Sequence, residues 1–257
     1  MPQLAGETAH FPTSGRFLMG RLRQALDDEH KAIIEGLFDE VRTFDDTHIL
    51  QRRGQLCDTS ALLVDGFMMR AIPNEGDGSH IVSLQVPGDF VDLHGFALKR
   101  LDHDVLTIGR TQIAFCPHAR LEAVVRAHPK LTRILWFSTM LDAALHRNWI
   151  IKLEKLPAVQ RVAFLFAETD ARLRMVDLAL DDGFDSPLTQ TQLASICGIT
   201  AVHMNRVLGE LNETGIARCE RGRVFIPDRE KLWHYCGFDG DYLYGAGQLA
   251  VGPAPYA

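Results

Sequence analysis

From Lys130 to Lys155 the chain carries neither Gly nor Pro, and this run is bracketed by Pro129 and Pro157. Gly or Pro inside a helix costs about 1 to 3 kcal/mol, whereas Pro is tolerated in the first helical turn and stops a helix further on. The spacing therefore predicts one long helix, and the sequence has a different texture on either side of it. A chain of 257 residues that is 46% hydrophobic is large enough to bury a core in each of two such units.

Val41 to Cys116 is made of short apolar runs, such as Ala61-Leu-Leu-Val64 and Ile81-Val-Ser-Leu84, separated by Gly54, Gly66, Gly76, Gly78, Gly88 and Gly95. That pattern predicts antiparallel strands joined by tight turns, closed into a small β-roll of jelly-roll type. Before it, Leu22, Leu26, Ile33, Ile34 and Leu37 fall at helical spacing and predict one lead-in helix, while residues 1–16 have no period and are expected to be disordered. Pro117 opens a further helix through Val124. The division expected is a roll over residues 17–128, the long helix over 129–156, a second unit over 157–238 and a tail over 239–257. Phe238, Tyr242 and Leu243 could fold back onto that second unit, with disorder expected beyond Gly245.

Read in sevens, the long helix places Ile134, Phe137, Leu141, Ala144, Asn148 and Ile151 on one seam, with Leu131, Leu135, Leu145 and Trp149 on another. The first seam is assigned to a dimer interface, its Asn fixing register, and the second to packing on the roll.

In the second unit, Leu188-Thr-Gln-Thr-Gln-Leu-Ala-Ser-Ile-Cys-Gly-Ile-Thr-Ala-Val-His-Met-Asn-Arg-Val-Leu208 reads as two short helices joined by a glycine turn. Thr189 and Gln192 form a capping-box pair, Gly198 supplies the turn, Thr200 caps the second helix, and Met204 and Val207 face the core. Ala201, Val202, Asn205 and Arg206 are then turned outward, where a recognition helix meets base edges. Arg pairs with guanine, Asn with adenine, and Ala or Val meets a thymine methyl. Thr189, Thr200 and His203 are assigned to phosphates. So are Arg218, Arg221 and Arg223, in a hairpin turning at Arg221-Gly222 that would form a wing.

A net charge of −6 argues against a surface basic all over. From Thr189 to Arg223 four Arg stand against three Glu, so dimerisation would have to double the DNA contacts. Cys57, Cys116, Cys197, Cys219 and Cys236 form no CxxC pair and suit free thiols in the cytoplasm. No signal core, membrane span, phosphate loop, zincin motif or nucleophile elbow is visible.

This order of parts resembles the Crp-Fnr family of bacterial transcription regulators from about Leu22 to Phe238. The likeness rests on Arg53-Gly54, Val64-Asp-Gly66, Pro87-Gly-Asp-Phe90 and, above all, Leu188 to Ile216 with Asn205-Arg206-Val-Leu208. The resemblance implies an α+β fold: an N-terminal antiparallel β-roll, a dimerisation helix and a C-terminal winged helix-turn-helix. It also implies a homodimer on a two-fold symmetric DNA operator, no catalysis, and RNA polymerase as a further candidate partner. It gives Arg206 the guanine-reading place. Ala201-Val202 stand where cyclic-AMP-type members carry Arg-Glu, so a different operator is expected.

In the roll, Val91-Asp-Leu-His94 replaces the family's Gly-Glu-Leu, and Asp102-His-Asp-Val105 replaces its phosphate-binding Arg-Ser-Ala, with two acids of the wrong sign. Asp92, Leu93, His94 and His103 are the candidate effector pocket, for an effector other than cyclic AMP or for none. No cysteines precede Cys57, which argues against an iron-sulfur cluster, and no cofactor or metal is expected. The alternatives are a cyclic-nucleotide- or haem-responsive member of the same family and a cupin-like metalloprotein.

Overall fold

The computed structural model describes residues 2–75 and 78–245, with side chains from residue 6 onward. Gly76 and the tail beyond Gly245 lie outside the described residues. Five antiparallel strands build the roll: β1 (Glu40–Phe44), β2 (Ile49–Gln51), β3 (Thr59–Pro73), β4 (Ser79–Gln85) and β5 (Asp104–Pro117). Their order is β1-β5-β3-β4, and β2 also pairs with β5. The long ladder between β3 and β5 runs from Thr59 opposite Pro117 to Ala71 opposite Asp104, and shifts register on both sides of Asp65. Gly66 makes that shift feasible: its φ is +86°, and a Cβ there would stand 2.4 Å from the Arg110 carbonyl oxygen.

The N-terminal segment is ordered, contrary to expectation. Helix α1 (Pro2–His10) precedes a chain of turns, and Glu7 on it accepts from Arg23 Nε at 2.9 Å and pairs with Lys31. The Glu35 carboxylate accepts from the Thr13 and Ser14 amides at 3.0 and 2.8 Å. Charged bonds hold this segment, and a search for apolar periodicity cannot see them. The single lead-in helix is also split: Asp27 accepts from the His30 amide and starts α2 (Asp28–Glu35) afresh after a 3-10 turn at Arg23–Ala25.

After the one-turn helix α3 (Gly95–Leu98), the chain passes from β5 into α4 (His118–Ala127) and α5 (Pro129–Lys155). The last of these is about 40 Å long at 1.5 Å per residue. Pro157 precedes α6 (Ala158–Met175) as its N-cap. The second unit continues with β6 (Gly183–Asp185), α7 (Gln190–Cys197), α8 (Ala201–Glu213), β7 (Arg218–Glu220), β8 (Arg223–Phe225) and α9 (Arg229–Cys236). Its strands form one sheet in the order β6-β8-β7.

The two units share a core. Strand β4 is a sheet edge, and α7 covers it: Ser195 Oγ accepts from the Ile81 amide at 3.1 Å and donates to the Ser79 carbonyl at 3.4 Å. Ile81, Leu84 and Val86 of the roll pack in one cluster with Leu193, Ala194 and Ile196. Arg172 on α6 reaches back to the Leu84 carbonyl at 2.9 Å and to Asp89 at 2.5 Å. Asp241–Leu243 folds back as a 3-10 turn, and the Leu243 carbonyl accepts from Arg21 Nε at 2.8 Å. Among the described residues, no helix is long and apolar enough to cross a membrane.

Candidate nucleic-acid interface and the roll interior

The helix pair is set by local bonds. Thr189 caps α7 in a full capping box with Gln192, Gly198 ends it at φ +64°, and the Thr200 side chain accepts from the His203 amide to start α8. Met204, Val207, Leu208 and Leu211 then face inward, at most 9% exposed. The opposite face presents Ala201, Val202, His203, Asn205, Arg206 and Gly209, all exposed, and Val202 is 69% exposed. Leaving so large an apolar surface in water is unfavourable by about 25 cal/mol per Å², and a groove lined with methyl groups would relieve it. The four residues expected to read bases thus share one free face, with Thr189 and Thr200 exposed at the two helix starts.

Strands β7 and β8 turn at Arg221 and Gly222, with φ of +51° and +76°, the pair of left-handed residues that a type I′ hairpin needs. The three wing arginines are not equivalent. Arg221 projects from the tip with its side chain 90% exposed. Arg218 lies over the Phe225 ring at 4.5 Å and 3.6 Å from Glu220. Arg223 is turned inward onto Asp182 and the other side of the Phe225 neighbourhood, 4.6 Å from the ring. Arg223, with its side chain 33% exposed against 50% for Arg218 and 90% for Arg221, is the least free of the three to meet a DNA backbone.

The dimer seam also needs correction. Ile134, Leu141 and Ala144 are 1%, 5% and 2% exposed within the single chain. Phe137 stacks edge-on against Tyr244, and Asn148 donates to the Ala144 carbonyl of its own helix. The lead-in segment packs on that face, with Phe17, Leu18 and Leu22 in one cluster with Ile134 and Leu135. Of the six residues only Ile151 is exposed. The apolar stripe left open is one position round: Trp136 and Ile150, each 65% exposed, and Met140, with Ala143 and Arg147 between them. These five residues alternate steps of four and three, the repeat of a paired helix.

Inside the roll, three of the four candidate pocket residues gather around a group that the sequence did not single out. Arg70, 3% exposed, donates from Nε to the Val91 carbonyl at 2.8 Å and from Nη1 to both oxygens of Asp142 on α5, at 2.9 and 2.7 Å. Burial opposes the charge on Asp142, yet the Arg70 guanidinium and His146 outweigh it and hold the acid below its usual range. Asp92 accepts from the Ala61 amide at 2.6 Å, and burial pushes it up to about 7. Burial, helped by Arg70, brings His94 down to about 4 and also lowers His103, whose ring lies 5.3 Å from that of His94. Leu93 instead joins the apolar cluster of Phe17 and Phe90.

Asp102 is 83% exposed and leans on His103 Nδ1, while Asp104 accepts from the Arg53 amide. A lone Arg within Phe67-Met-Met-Arg-Ala-Ile72 is the signal that could have found Arg70. Burial also raises the Cys116 thiol to about 12 and the Cys57 thiol above its ordinary value, which leaves both poor nucleophiles. Among the described residues, no three His, Cys, Asp or Glu side chains are gathered so as to hold a metal ion.

Residues 160–235 match the family described as the Crp-like helix-turn-helix domain. The chain is 28% identical over 196 residues to the transcriptional activator protein FnrL of Cereibacter sphaeroides, covering 73% of this chain and 77% of that protein. It is 27% identical over 153 residues to a probable transcriptional activator of Rhizobium leguminosarum bv. viciae, covering 59% of this chain and 62% of the relative, less than two thirds of its length. Among solved structures, FixK2 from Bradyrhizobium japonicum superposes with a TM-score of 0.68 at 18% identity, over 76% of this chain and 96% of that one. A transcriptional regulator of the CRP/FNR family from Thermus thermophilus gives 0.60 at 17%, over 77% and 99%. At such identities the structural likeness speaks for the fold.

Proposed function

We propose that the chain, which is similar to the Crp-Fnr transcription regulators, binds a two-fold symmetric DNA operator as a homodimer, with α8 in the major groove. The observation that carries this reading is the outer face of α8, where Ala201, Val202, Asn205 and Arg206 are exposed together and unpaired by any carboxylate of the helix. Arg206 is the guanine reader, Asn205 the adenine reader, and Ala201 with Val202 the apolar contact for thymine methyls. Thr189, Thr200, His203, Arg218 and Arg221 hold phosphates and set register. Two copies pair through Trp136, Met140, Ala143 and Ile150, which would bring two α8 helices to half-sites about one helical turn apart.

The roll then acts without cyclic AMP. Support comes from Arg70, whose guanidinium is bonded to Asp142, and from Asp92, which is buried and accepts from the Ala61 amide. The relatives are transcription regulators, and no reaction is assigned to this chain.

Selection from random duplexes with purified, nucleotide-free protein tests the reading. The recovered sites should be two-fold symmetric, with half-sites about one turn apart. Recovery of asymmetric or unenriched sequences would contradict it.

A further inference from the structure

One face of the roll carries exposed cations that the DNA reading does not use. Segments 52–57 and 97–101 run side by side: the Gly54 amide donates to the Leu101 carbonyl at 2.8 Å, the Cys57 amide to the Lys99 carbonyl at 3.0 Å, and Leu56 bridges Arg100. Arg100 Nη1 fastens them by donating to the Gly54 carbonyl at 2.5 Å. On this plate Leu56 is 68% and Leu98 61% exposed, among the most exposed large hydrophobics of the molecule. Around them stand Arg52, Arg53, Lys99 and Arg100, all exposed and none with its side chain on a carboxylate among the described residues, although Lys99 Nζ lies 4.9 Å from the Phe96 ring and 3.5 Å from His118 Nδ1. Four exposed cations thus lie beside two bare leucines in a chain whose net charge is −6.

The backbone is held to present them. Lys99 ends α3 at φ +61°, ψ −11°, in the left-handed region where Gly is the usual residue. Leu98 immediately precedes this left-handed residue. A strained, exposed, apolar loop with a basic rim has the composition of a recognition surface, because it gains desolvation and charge pairing together when covered.

We propose that this plate docks an acidic segment of another protein, one carrying aliphatic side chains between its carboxylates. Leucines sit among the cations, so the occupant must bring apolar groups, which a phosphate backbone does not. Asp58, Asp102 and Asp104 lie in or beside the same segments, so the occupant must set its carboxylates over the cations and cannot present an unbroken run of negative charge. The proposal is independent of the operator reading, since none of these residues lies on α8 or the wing.

The probe is a short fluorescein-labelled amphipathic peptide of alternating Glu and Leu pairs, titrated by anisotropy into the full chain. Control arms use the same peptide with Lys for Glu, random-sequence duplex DNA and phosphatidylglycerol vesicles. Saturable binding of the acidic peptide is expected. It should weaken by about tenfold or more in Leu56→Ser/Leu98→Ser and in Arg52→Glu/Arg53→Glu, with circular dichroism and operator affinity unchanged. Loss in the charge variant alone would reveal ion exchange and overturn the proposal. So would absence of peptide binding, or DNA or vesicle binding that the same variants abolish. A change of oligomeric state in the leucine variant would show that a second copy covers the plate, and would overturn it too.

Discussion

Replacing Asp142 by Asn removes the carboxylate to which Arg70 donates, and leaves a guanidinium with 4% side-chain exposure facing the Val91 carbonyl and an amide. Breaking one side of a buried pair costs about 3 to 5 kcal/mol, because the surviving charge is stranded out of water. Asp142 keeps 28% side-chain exposure, so some water reaches the site and the lower figure of about 3 kcal/mol applies. With a urea dependence of about 3 kcal/mol per molar, the unfolding midpoint should fall by roughly 1 M. Removing both charges is different. Arg70→Met with Asp142→Leu should recover most of the loss, since neither partner is then left alone.

The pH dependence follows from the direction of the Asp142 shift. Its folded value lies below its unfolded value, so the pair's contribution is full above the ordinary carboxylate range and disappears as pH falls through the folded value. Urea unfolding monitored by circular dichroism should show the gap between wild type and Asp142→Asn complete at neutral pH and closing in acid. A gap under about 1 kcal/mol at neutral pH, or a double variant as weak as Asp142→Asn, would refute the stranded-charge argument.

Trp136→Glu with Ile150→Glu should yield a folded monomer by light scattering with operator affinity greatly reduced, whereas Leu141→Glu should lose thermal stability because that side chain is inside the chain; a persistent dimer in the first variant would reject the exposed stripe. Arg221→Ala should weaken binding to all sequences and lower the slope of log affinity against log salt by about 1, read by titrations at several salt concentrations; an altered base preference would contradict a phosphate role. Asp92 titrates at about 7 in the fold against 3.8 as an ordinary acid, so the folded chain holds its proton more tightly and stability falls as pH rises between those values. Asp92→Asn, which keeps an acceptor for the Ala61 amide, should therefore gain melting temperature relative to wild type as pH rises from about 4 to about 7 and hold that gain above it, and a constant difference over that range would argue against the assignment.

The parts of the fold that were legible in the sequence are those fixed by bonds a few residues long. The Thr189–Gln192 capping box, the Thr200 cap, the left-handed Gly198 and the Arg221-Gly222 turn stand where their residue types put them. The face of α5 left open to a partner was not legible, because that helix is apolar on several sides. What covers each side comes from far along the chain: Phe17 and Leu22 from before the roll, and Tyr244 from the end. A shift of one residue rotates a helix by about 100°, so the heptad reading chose a covered face. Arg70 was hidden for a related reason. Its partner lies 72 positions away on another element, and in an apolar strand a single Arg has no local pattern to reveal it. The same holds for Ser195, whose hydroxyl closes a strand edge 114 positions earlier.

The central claim, that α8 reads bases through Arg206, is tested most directly by competition binding of wild type and Arg206→Ala against the selected operator and its single-base variants. Arg206 is exposed, so the substitution should leave the melting curve in place. Wild type should lose about 1 to 3 kcal/mol when one guanine in each half-site is changed, at symmetric positions, and Arg206→Ala should be indifferent to that change while still discriminating at the other positions. Equal discrimination by the two proteins at every position would contradict the claim.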